Sequence, residues 1–301
     1  MRLGVFVDSS RTRGGAADLD AYVEQVRRAA DAGFASVWTP QVFGLDALTM
    51  LTIAGREVPG VELGTAVVPI YGRHPMHLGL QAINTQIAVG GRLSLGIGLS
   101  HQVVVENMWG LSFDKPARFM REYLEALLPF VRDGKVAAQG EVVKAAGEIR
   151  LPDGFHLPVL VAGLGPVMLA IAGRLTEGTV TWMTGPQTIA DHIVPSITKA
   201  ATEAGRPAPR VVAALPTCVT DDIGGARERA AKGFQIYGVL PSYRAMLDRE
   251  GAAGPGDVAI VGSRRVVQDE VKRMVDNGAT EFVAVPFENV DETLEAVAAL
   301  L

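Results

Sequence analysis

The stretch Pro158–Gly178, PVLVAGLGPVMLAIAGRLTEG, indicates how this chain folds. Its first residues, Pro158 to Ala162, form an apolar run that is long enough for one buried strand. The run ends at Gly163-Leu164-Gly165, and Pro166 then opens a helical pattern, because proline favours the first position of a helix. Backbone N–H groups converge where a strand passes through glycines into a helix, so this turn suits a phosphate. A tight turn whose glycines only provide clearance is the alternative.

The composition is typical of a large globular chain. Its 301 residues are 48% hydrophobic and 20% charged, with a formal net charge of −5. Such a chain can bury a sizeable core, and it lacks the basic field that attracts nucleic acid. No run of about 18 apolar residues predicts a membrane span, and the single cysteine, Cys218, excludes an internal disulfide. We therefore expect a cytoplasmic protein whose partner is a small molecule, and neither a nucleic acid nor a membrane.

Strand and helix patterns alternate along the chain. The predicted strands are Leu3–Val7, Ser36–Trp38, Val61–Val67, Leu93–Ile97, Val159–Ala162, Thr179–Trp182, Val211–Cys218 and Glu281–Val285. The predicted helical regions are Leu19–Ala32, Ala47–Val58, Pro75–Val89, Pro116–Arg132, Pro166–Arg174, Thr188–Ala204, Ala226–Leu247 and Asp291–Leu301. This alternation predicts an α/β protein with a (β/α)8 TIM-barrel fold. A doubly wound sheet is the alternative, but the first strand lacks the GxGxxG turn of a dinucleotide-binding half.

Two segments interrupt the alternation. Gly134–Leu157 is predicted to form a hairpin or an extended insertion before the fifth strand. Gly251–Ser263 is a glycine-rich loop with a short apolar piece, followed by a new helix from Arg264. Neither segment has the composition of a long linker, so we expect one domain over residues 1–301 with short insertions.

In a (β/α)8 barrel the chemical groups lie where the strands end. This rule selects a set of residues at or shortly after the ends of successive predicted strands: Asp8, Gln41, Arg73, His74, Ser100, His101, Trp182 and Met183. Apolar and aromatic groups near these ends suit a flat ring better than a sugar or a metal. The sequence there shows no carboxylate pair, no cluster of metal ligands and no GxSxG elbow. Such a site leaves the difficult chemistry to a cofactor.

Six motifs resemble those of the luciferase-like monooxygenase superfamily, in the same order and spacing. They are AGFASVW (32–38), LGTAV (63–67), RLSLGIG (92–98), GEVV (140–143), the stretch Pro158–Gly178, and GATEFV (278–283). The chain resembles most the branch that uses coenzyme F420, a deazaflavin, and the similarity runs nearly from end to end. The resemblance implies a TIM barrel, an oxidoreductase activity and a homodimer.

The resemblance also implies cofactor-binding roles. It implies a non-prolyl cis peptide between Ala66 and Val67, behind the cofactor ring. It implies that the cofactor phosphate is held by backbone N–H groups of the turn formed by Ala162, Gly163, Leu164, Gly165 and Pro166. Beside the ring and the substrate we expect Gly98, Ser100, Gln102, Trp182 and Met183, and the candidate substrate-binding residues are Asp8, Arg73 and His74.

The chain departs from the pattern of sugar-phosphate dehydrogenases of this branch. Those enzymes have Asp-His-Phe after the second strand and Glu after the fourth. At the matching positions this chain has Gln41-Val42-Phe43 and His101. Because Val42 cannot transfer a proton, we do not expect this chain to act on a sugar phosphate as those enzymes do. Gln41 can still hydrogen-bond the ring edge, and His101 becomes the candidate proton donor, since an imidazole titrates near neutral pH. A histidine held only by loop hydrogen bonds is the alternative.

We therefore predict hydride transfer between C5 of F420 and a small organic substrate, with no metal. Two other classes stay open. One is an FMN-dependent monooxygenase that works with a reductase partner, and the other is a non-catalytic flavin-binding relative that stores or senses the cofactor. The sequence names neither the substrate nor the direction of transfer.

Overall fold

The computed structural model describes residues 1–8, 18–41 and 43–301. The strands are β1 (Leu3–Phe6), β2 (Ser36–Thr39), β3 (Glu62–Thr65), β4 (Val68–Pro69), β5 (Leu93–Gly98), β6 (Lys135–Gln139), β7 (Lys144–Glu148), β8 (Val159–Ala162), β9 (Gly178–Trp182), β10 (Arg210–Val219), β11 (Ile260–Gly262) and β12 (Glu281–Pro286). The helices are α1 (Leu19–Asp31), α2 (Ala47–Glu57), α3 (Pro75–Ala88), α4 (Pro116–Asp133), α5 (Pro166–Leu175), α6 (Pro186–Thr188), α7 (Val194–Glu203), α8 (Ile223–Gly233), α9 (Pro241–Glu250), α10 (Pro255–Val258), α11 (Arg264–Asp276) and α12 (Val290–Ala298). Apart from the insertions, this is the element order of a (β/α)8 barrel.

Contacts group the residues into two compact units. The first unit contains Met1–Val7, Glu24–Trp38 and Gly163–Leu301, and the second contains Asp8–Val23 and Thr39–Ala162. The expectation of one domain over residues 1–301 stays a prediction. None of the helices within the described ranges is long and apolar enough to cross a membrane.

The strands of the first unit pair in parallel. β1 pairs with β2 and β12, and β10 pairs with β9, β11 and β12. Their side chains are almost entirely buried, which explains why apolar residues predominate in these strands.

One buried carboxylate ties the amino ends of these strands together. Glu281, the first residue of β12, has no exposed surface. It forms ion pairs with Arg2 at 2.8 Å and with Arg210 at 2.9 Å. It also accepts hydrogen bonds from Ser36 Oγ and, at 2.8 Å, from Trp38 Nε1. Burial alone would raise the pKa of Glu281, but these hydrogen bonds and positive charges outweigh it and hold the pKa below its usual value.

In the second unit, β5 pairs in parallel with β3, β4 and β8. The insertion predicted over Gly134–Leu157 is a hairpin, because β6 and β7 are antiparallel. Its tip is attached to α4 by Glu122, whose Oε2 accepts from the backbone N–H groups of Val142 at 2.8 Å and Val143 at 3.1 Å. A β-carbon at Gly140 would overlap this carboxylate, which explains the glycine of the GEVV motif.

Three predicted elements differ from the structure. The predicted strand Val61–Val67 ends at Thr65 as β3, because the chain bulges at Ala66 and Val67, and a separate short strand, β4, follows from Val68. The helical region Ala226–Leu247 is broken between α8 and α9 by a 3₁₀ turn, Gln235–Gly238. The short apolar piece before Arg264 is a strand, β11, which pairs with the end of β10.

Candidate functional site

The bulge after β3 has the backbone that the family resemblance implies. The peptide bond between Ala66 and Val67 is cis, so this prediction is confirmed. The N–H of Ala66 donates to the Thr39 carbonyl at 2.8 Å. Thr65 Oγ1 donates to the Gly96 carbonyl at 2.7 Å and accepts from the Gly96 N–H at 2.8 Å. The bulge is therefore hydrogen-bonded to the strands on both of its sides.

Glycines in β5 make room for this bulge. A β-carbon at Gly98 would lie 2.7 Å from Val67 Cγ2 and 3.3 Å from Ala162 Cβ. A β-carbon at Gly96 would overlap the Thr65 carbonyl oxygen. Four predicted cofactor-binding residues of the second unit are thus close together: Ala66, Val67, Gly98 and Ala162.

The end of β5 leads into a short π-helical segment, Val103–Met108. Ser100 has φ of 61°, a left-handed conformation that is uncommon outside glycine and concentrates at functional sites. The His101 carbonyl accepts from the N–H groups of Val104 and Val105, both at 2.9 Å. Burial lowers the pKa of His101 below its usual value, so the imidazole is mainly neutral at pH 7. Gln102 Nε2 donates to Glu106 Oε2 at 3.0 Å.

The structure gives Arg73 and His74 partners of their own. The Arg73 guanidinium pairs with Asp46 at 3.2 Å and donates to Gln81 Oε1 at 3.1 Å. His74 is the N-cap of α3, where its Nδ1 accepts from the Met76 N–H at 3.3 Å. Its Nε2 donates to the Lys144 carbonyl at 2.9 Å. These contacts give both residues a structural role, and substrate binding by them stays a prediction.

Gln41 is held at the start of α2. Its Oε1 accepts from the Ala47 N–H at 2.6 Å, which leaves the Nε2 hydrogens as donors. Asp8 is half-buried and lies two residues after the end of β1. Val42, which replaces the histidine of the sugar-phosphate dehydrogenases, lies outside the described residues.

The predicted glycine turn lies before α5. Gly165 is the N-cap and has no side-chain cap, and Pro166 is the first helical residue. The Gly163 N–H donates to Thr179 Oγ1, which donates back to the Gly163 carbonyl, both at 3.2 Å. The Leu164 carbonyl accepts from His192 Nε2 at 2.7 Å. A β-carbon at Gly165 would meet no atom within 4 Å, so space beside this residue is open.

Trp182, the last residue of β9, lies in an aromatic cluster of the first unit. Its ring stacks on Phe6 with centroids 6.3 Å apart, and it meets Phe234 and Tyr237 edge-on at 5.6 and 5.8 Å. Its Nε1 is buried, and the described residues offer it no hydrogen-bond partner. Met183 follows in the left-handed conformation, with φ of 54°. A buried indole N–H without an acceptor suits a ligand that supplies an oxygen or nitrogen atom.

The sequence did not point to three further residues: Thr179, His192 and Tyr71. Tyr71 follows β4, and its ring stacks on Phe119 with centroids 4.5 Å apart. Its hydroxyl is buried and lacks a hydrogen-bond partner among the residues described. Burial, together with the Asp114 and Glu106 carboxylates, raises the pKa of Tyr71 to about 12. The phenol is therefore a donor at any physiological pH.

Metal ligands and the cysteine thiol were also compared with the structure of the described residues. In residues 1–8, 18–41 and 43–301, no three His, Cys, Asp or Glu side chains are arranged to hold a metal ion. Cys218 is fully buried, and burial raises the pKa of its thiol to about 11. A thiol of this kind is a poor nucleophile.

Comparison with known proteins identifies the family. The luciferase-like monooxygenase family matches residues 1–297. The chain belongs to this family. One relative of this luciferase-like protein is Rv3520c of Mycobacterium tuberculosis, provisionally named a coenzyme F420-dependent oxidoreductase. It is 27% identical over 292 residues, which cover 91% of this chain and 82% of Rv3520c.

Solved structures show the fold of the luciferase-like chain. The coenzyme F420-dependent tetrahydromethanopterin reductase of Methanopyrus kandleri matches with a TM-score of 0.82 and 20% identity, over 99% of this chain and 97% of the reductase. The FMN complex of a type II Baeyer–Villiger monooxygenase component from Pseudomonas putida matches with a TM-score of 0.78 and 15% identity, over 99% and 96%. The predicted (β/α)8 TIM barrel is confirmed.

Proposed function

We propose that this luciferase-like protein is an oxidoreductase that uses coenzyme F420 and transfers hydride between the deazaflavin and a small organic substrate. The names of the M. tuberculosis relative and of the M. kandleri reductase support F420 over other cofactors. The observation that carries the proposal is the turn Gly163–Pro166, whose peptide groups are fixed and which opens a helix without a side-chain cap. A helix start of this kind attracts a phosphate.

The residues present fit such a cofactor on two counts. The open space beside Gly165 leaves the turn accessible to an anion on that side. The buried indole N–H of Trp182 lacks an acceptor within the described part of the chain, and a ligand oxygen would satisfy it. A buried unsatisfied donor costs about 1–3 kcal/mol, so satisfying it favours binding.

F420, when bound, supplies or accepts the hydride at its C5 atom. In this proposal the bulge at Ala66 and Val67 supports one face of the ring, and Gln41 offers its Nε2 hydrogens to the ring edge. Ser100 and Gln102 flank the reacting groups. His101 holds or releases the proton that accompanies hydride transfer, directly or through one water. Asp8, Arg73 and His74 remain the proposed contacts to the substrate.

The test is a titration followed by an assay. Purified protein is titrated with F420 and FMN while the fluorescence of each cofactor is recorded. The loaded protein is then assayed with enones, imines, alcohols and ketones. Binding of F420 with turnover of one substrate class supports the proposal. Affinity for neither cofactor overturns it, and binding without any turnover favours a storage or sensing role.

An FMN-dependent monooxygenase is the second candidate. The structural match to an FMN complex favours it, and the glycine turn suits the phosphate of FMN as well as that of F420. Preferential binding of FMN, with oxygen consumption when a flavin reductase is added, would favour this candidate over the first.

Association and location are further parts of the proposal. We propose a homodimer, which sedimentation velocity tests directly, because a monomer at micromolar concentration would exclude a stable dimer. We also propose a cytoplasmic location, which fractionation of cells that express the protein would check.

A further inference from the structure

We infer that His192 is a positioning residue that directs the N–H groups of the turn Gly163–Pro166 toward the phosphate of the bound cofactor. The inference rests on the proposed function, in which this turn holds that phosphate. His192 belongs to none of the six family motifs in the sequence. It reaches the turn from the π-helical segment Ile189–Ile193 and not from α5.

The contact is short and protected from solvent. His192 is only 8% exposed, and its Nε2 lies 2.7 Å from the Leu164 carbonyl oxygen. A carbonyl oxygen only accepts, so Nε2 must carry a hydrogen and donate it.

The geometry of the peptide bond links this contact to ligand binding. The peptide between Leu164 and Gly165 is trans, and in a trans peptide the C=O and N–H groups point in opposite directions. Because His192 fixes the Leu164 carbonyl on its own side, the Gly165 N–H points away from the imidazole. The side of Gly165 where a β-carbon would stand is open.

Thr179 acts in the same way on the preceding peptide. Its hydroxyl binds the Gly163 carbonyl at 3.2 Å, so the N–H of Leu164 points away from Thr179. Two consecutive N–H groups are thereby oriented by side chains outside the turn. Backbone N–H groups that are held in place at the start of a helix bind anions.

Without the imidazole, the Leu164–Gly165 peptide could rotate. A rotation that presents the Leu164 carbonyl to the ligand would place a partial negative charge against the phosphate. The buried donor of His192 favours the opposite orientation, in which the N–H faces the anion. The hydrogen bond from His192 therefore favours binding of the phosphate and does not affect binding of the ring.

The helix that carries His192 is itself held firmly. His192 belongs to a π-helical segment, Ile189–Ile193, and such segments are frequent at functional sites. The helix start is held by Glu250, which accepts from the N–H groups of Gln187 at 3.1 Å and Thr188 at 2.8 Å. Farther along, a β-carbon at Gly173 of α5 would lie 2.5 Å from the Ile197 carbonyl, so α5 and α7 pack at close range.

The experiment compares ligands with and without the phosphate. Dissociation constants are measured for F420 and for its phosphate-free deazariboflavin core, and in parallel for FMN and riboflavin. The variants are His192→Leu, which removes the donor, and His192→Gln, whose Nε2 occupies a similar position and keeps it. His192→Asn is polar but too short to reach Leu164, and it serves as the second loss variant if the leucine variant does not fold. Thr188→Val loosens the same helix without touching the turn.

We expect the leucine and asparagine variants to bind the phosphate-containing cofactor about tenfold more weakly, equivalent to roughly 1.4 kcal/mol. Affinity for the phosphate-free compound should change less than about twofold, and the glutamine variant should regain most of the loss. Any loss in Thr188→Val should be the same for both compounds. Equal losses for both compounds in the His192 variants, or no loss, would overturn this inference alone. Absence of binding by the wild-type protein would overturn the proposed function and this inference with it.

Discussion

Gly98 leaves the space that the side chain of Val67 occupies. A β-carbon at position 98 would lie 2.7 Å from Val67 Cγ2, closer than real β-carbons approach their neighbours. Two positions earlier, a β-carbon at Gly96 would overlap the Thr65 carbonyl, and Thr65 is also bound to Gly96 by two hydrogen bonds. The glycines of the RLSLGIG motif are therefore a requirement of packing between β5 and the bulge.

Gly98→Ala should lower the free energy of unfolding by about 1–3 kcal/mol, the usual cost of adding a methyl group to a filled core. Gly96→Ala should cost more, because its new atom meets backbone and cannot be relieved by a side-chain rotation. Urea denaturation measures both variants. Gly224→Ala is the control, since nothing lies within 4 Å of its β-carbon position. Equal stability of the three variants would contradict this account of the bulge.

The fold could be predicted from the sequence because its buried strands are short apolar runs separated by helical patterns. The hairpin is one of the two forms predicted for Gly134–Leu157, and the helix that begins at Arg264 was also predicted. The end of β3 at Thr65 could be expected only from the family resemblance, since no proline marks a break within Val61–Val67. The strand β11 was missed because three apolar residues carry no periodicity.

The candidate site was predictable only where the backbone makes it. The glycine turn and the bulge follow from glycines and from family motifs, and the structure places them as expected. The pairing of Arg73 with Asp46 and the contact of His192 with Leu164 join residues 27 and 28 positions apart. No local pattern encodes such contacts, because they depend on how the helices pack. Roles of the site residues in binding and catalysis stay predictions.

Tyr123→Phe should stabilise the protein. The Tyr123 side chain is fully buried, and its hydroxyl lacks a hydrogen-bond partner among the described residues. Leaving such a group unsatisfied costs about 1–3 kcal/mol, so its removal should raise the free energy of unfolding by about 1 kcal/mol. Tyr71→Phe should behave similarly, because its hydroxyl is also buried and unpartnered within the described ranges. Urea denaturation measures both effects, and a loss of stability in Tyr123→Phe would show that its hydroxyl has a partner.

The buried carboxylate of Glu281 should make stability depend on acid. Its folded-state pKa is held below the usual value, so its contribution is fully present above the unfolded-state pKa. That contribution is lost as the pH falls from about 4.5 through the folded-state pKa. Glu281→Gln should cost about 2 kcal/mol at pH 7, the range for a hydrogen bond to a charged group. The variant should also lose less stability than the wild type between pH 5 and pH 3, which denaturation at a series of pH values would measure. If the free energies of unfolding of the wild type and the variant fell equally with pH, the prediction would be wrong.

His101→Asn should lower turnover by roughly 100-fold, the scale of general acid–base catalysis, while leaving cofactor affinity nearly unchanged. Burial lowers the pKa of the imidazole, so the protonated form becomes populated only as the pH falls below about 6.5. Turnover in the direction that consumes a proton should therefore rise toward acidic pH. In the opposite direction the neutral imidazole accepts the proton, and turnover should reach a plateau at higher pH. Steady-state rates measured across pH should show both dependences in the wild type and neither in the variant. Equal losses of turnover and cofactor affinity would count against a proton-transfer role.

Gly165→Ala separates the two explanations of the glycine turn. The backbone of Gly165 has φ of −80° and ψ of 159°, which alanine adopts easily, and its β-carbon would meet no atom within 4 Å. Thermal unfolding should therefore show unchanged stability, or a gain of about 0.4–1 kcal/mol from the less flexible unfolded chain.

If a phosphate binds beside this residue, the new methyl group occupies part of its space, and affinity for F420 should fall at least about tenfold. Affinity for the phosphate-free core should not change, and titration with both compounds measures the difference. Gly163→Ala is a poor substitute, because its β-carbon would lie 3.3 Å from the backbone of Met168 and disturb the turn itself. A stable Gly165→Ala variant that binds F420 as the wild type does would mean that the glycines only provide clearance for the turn.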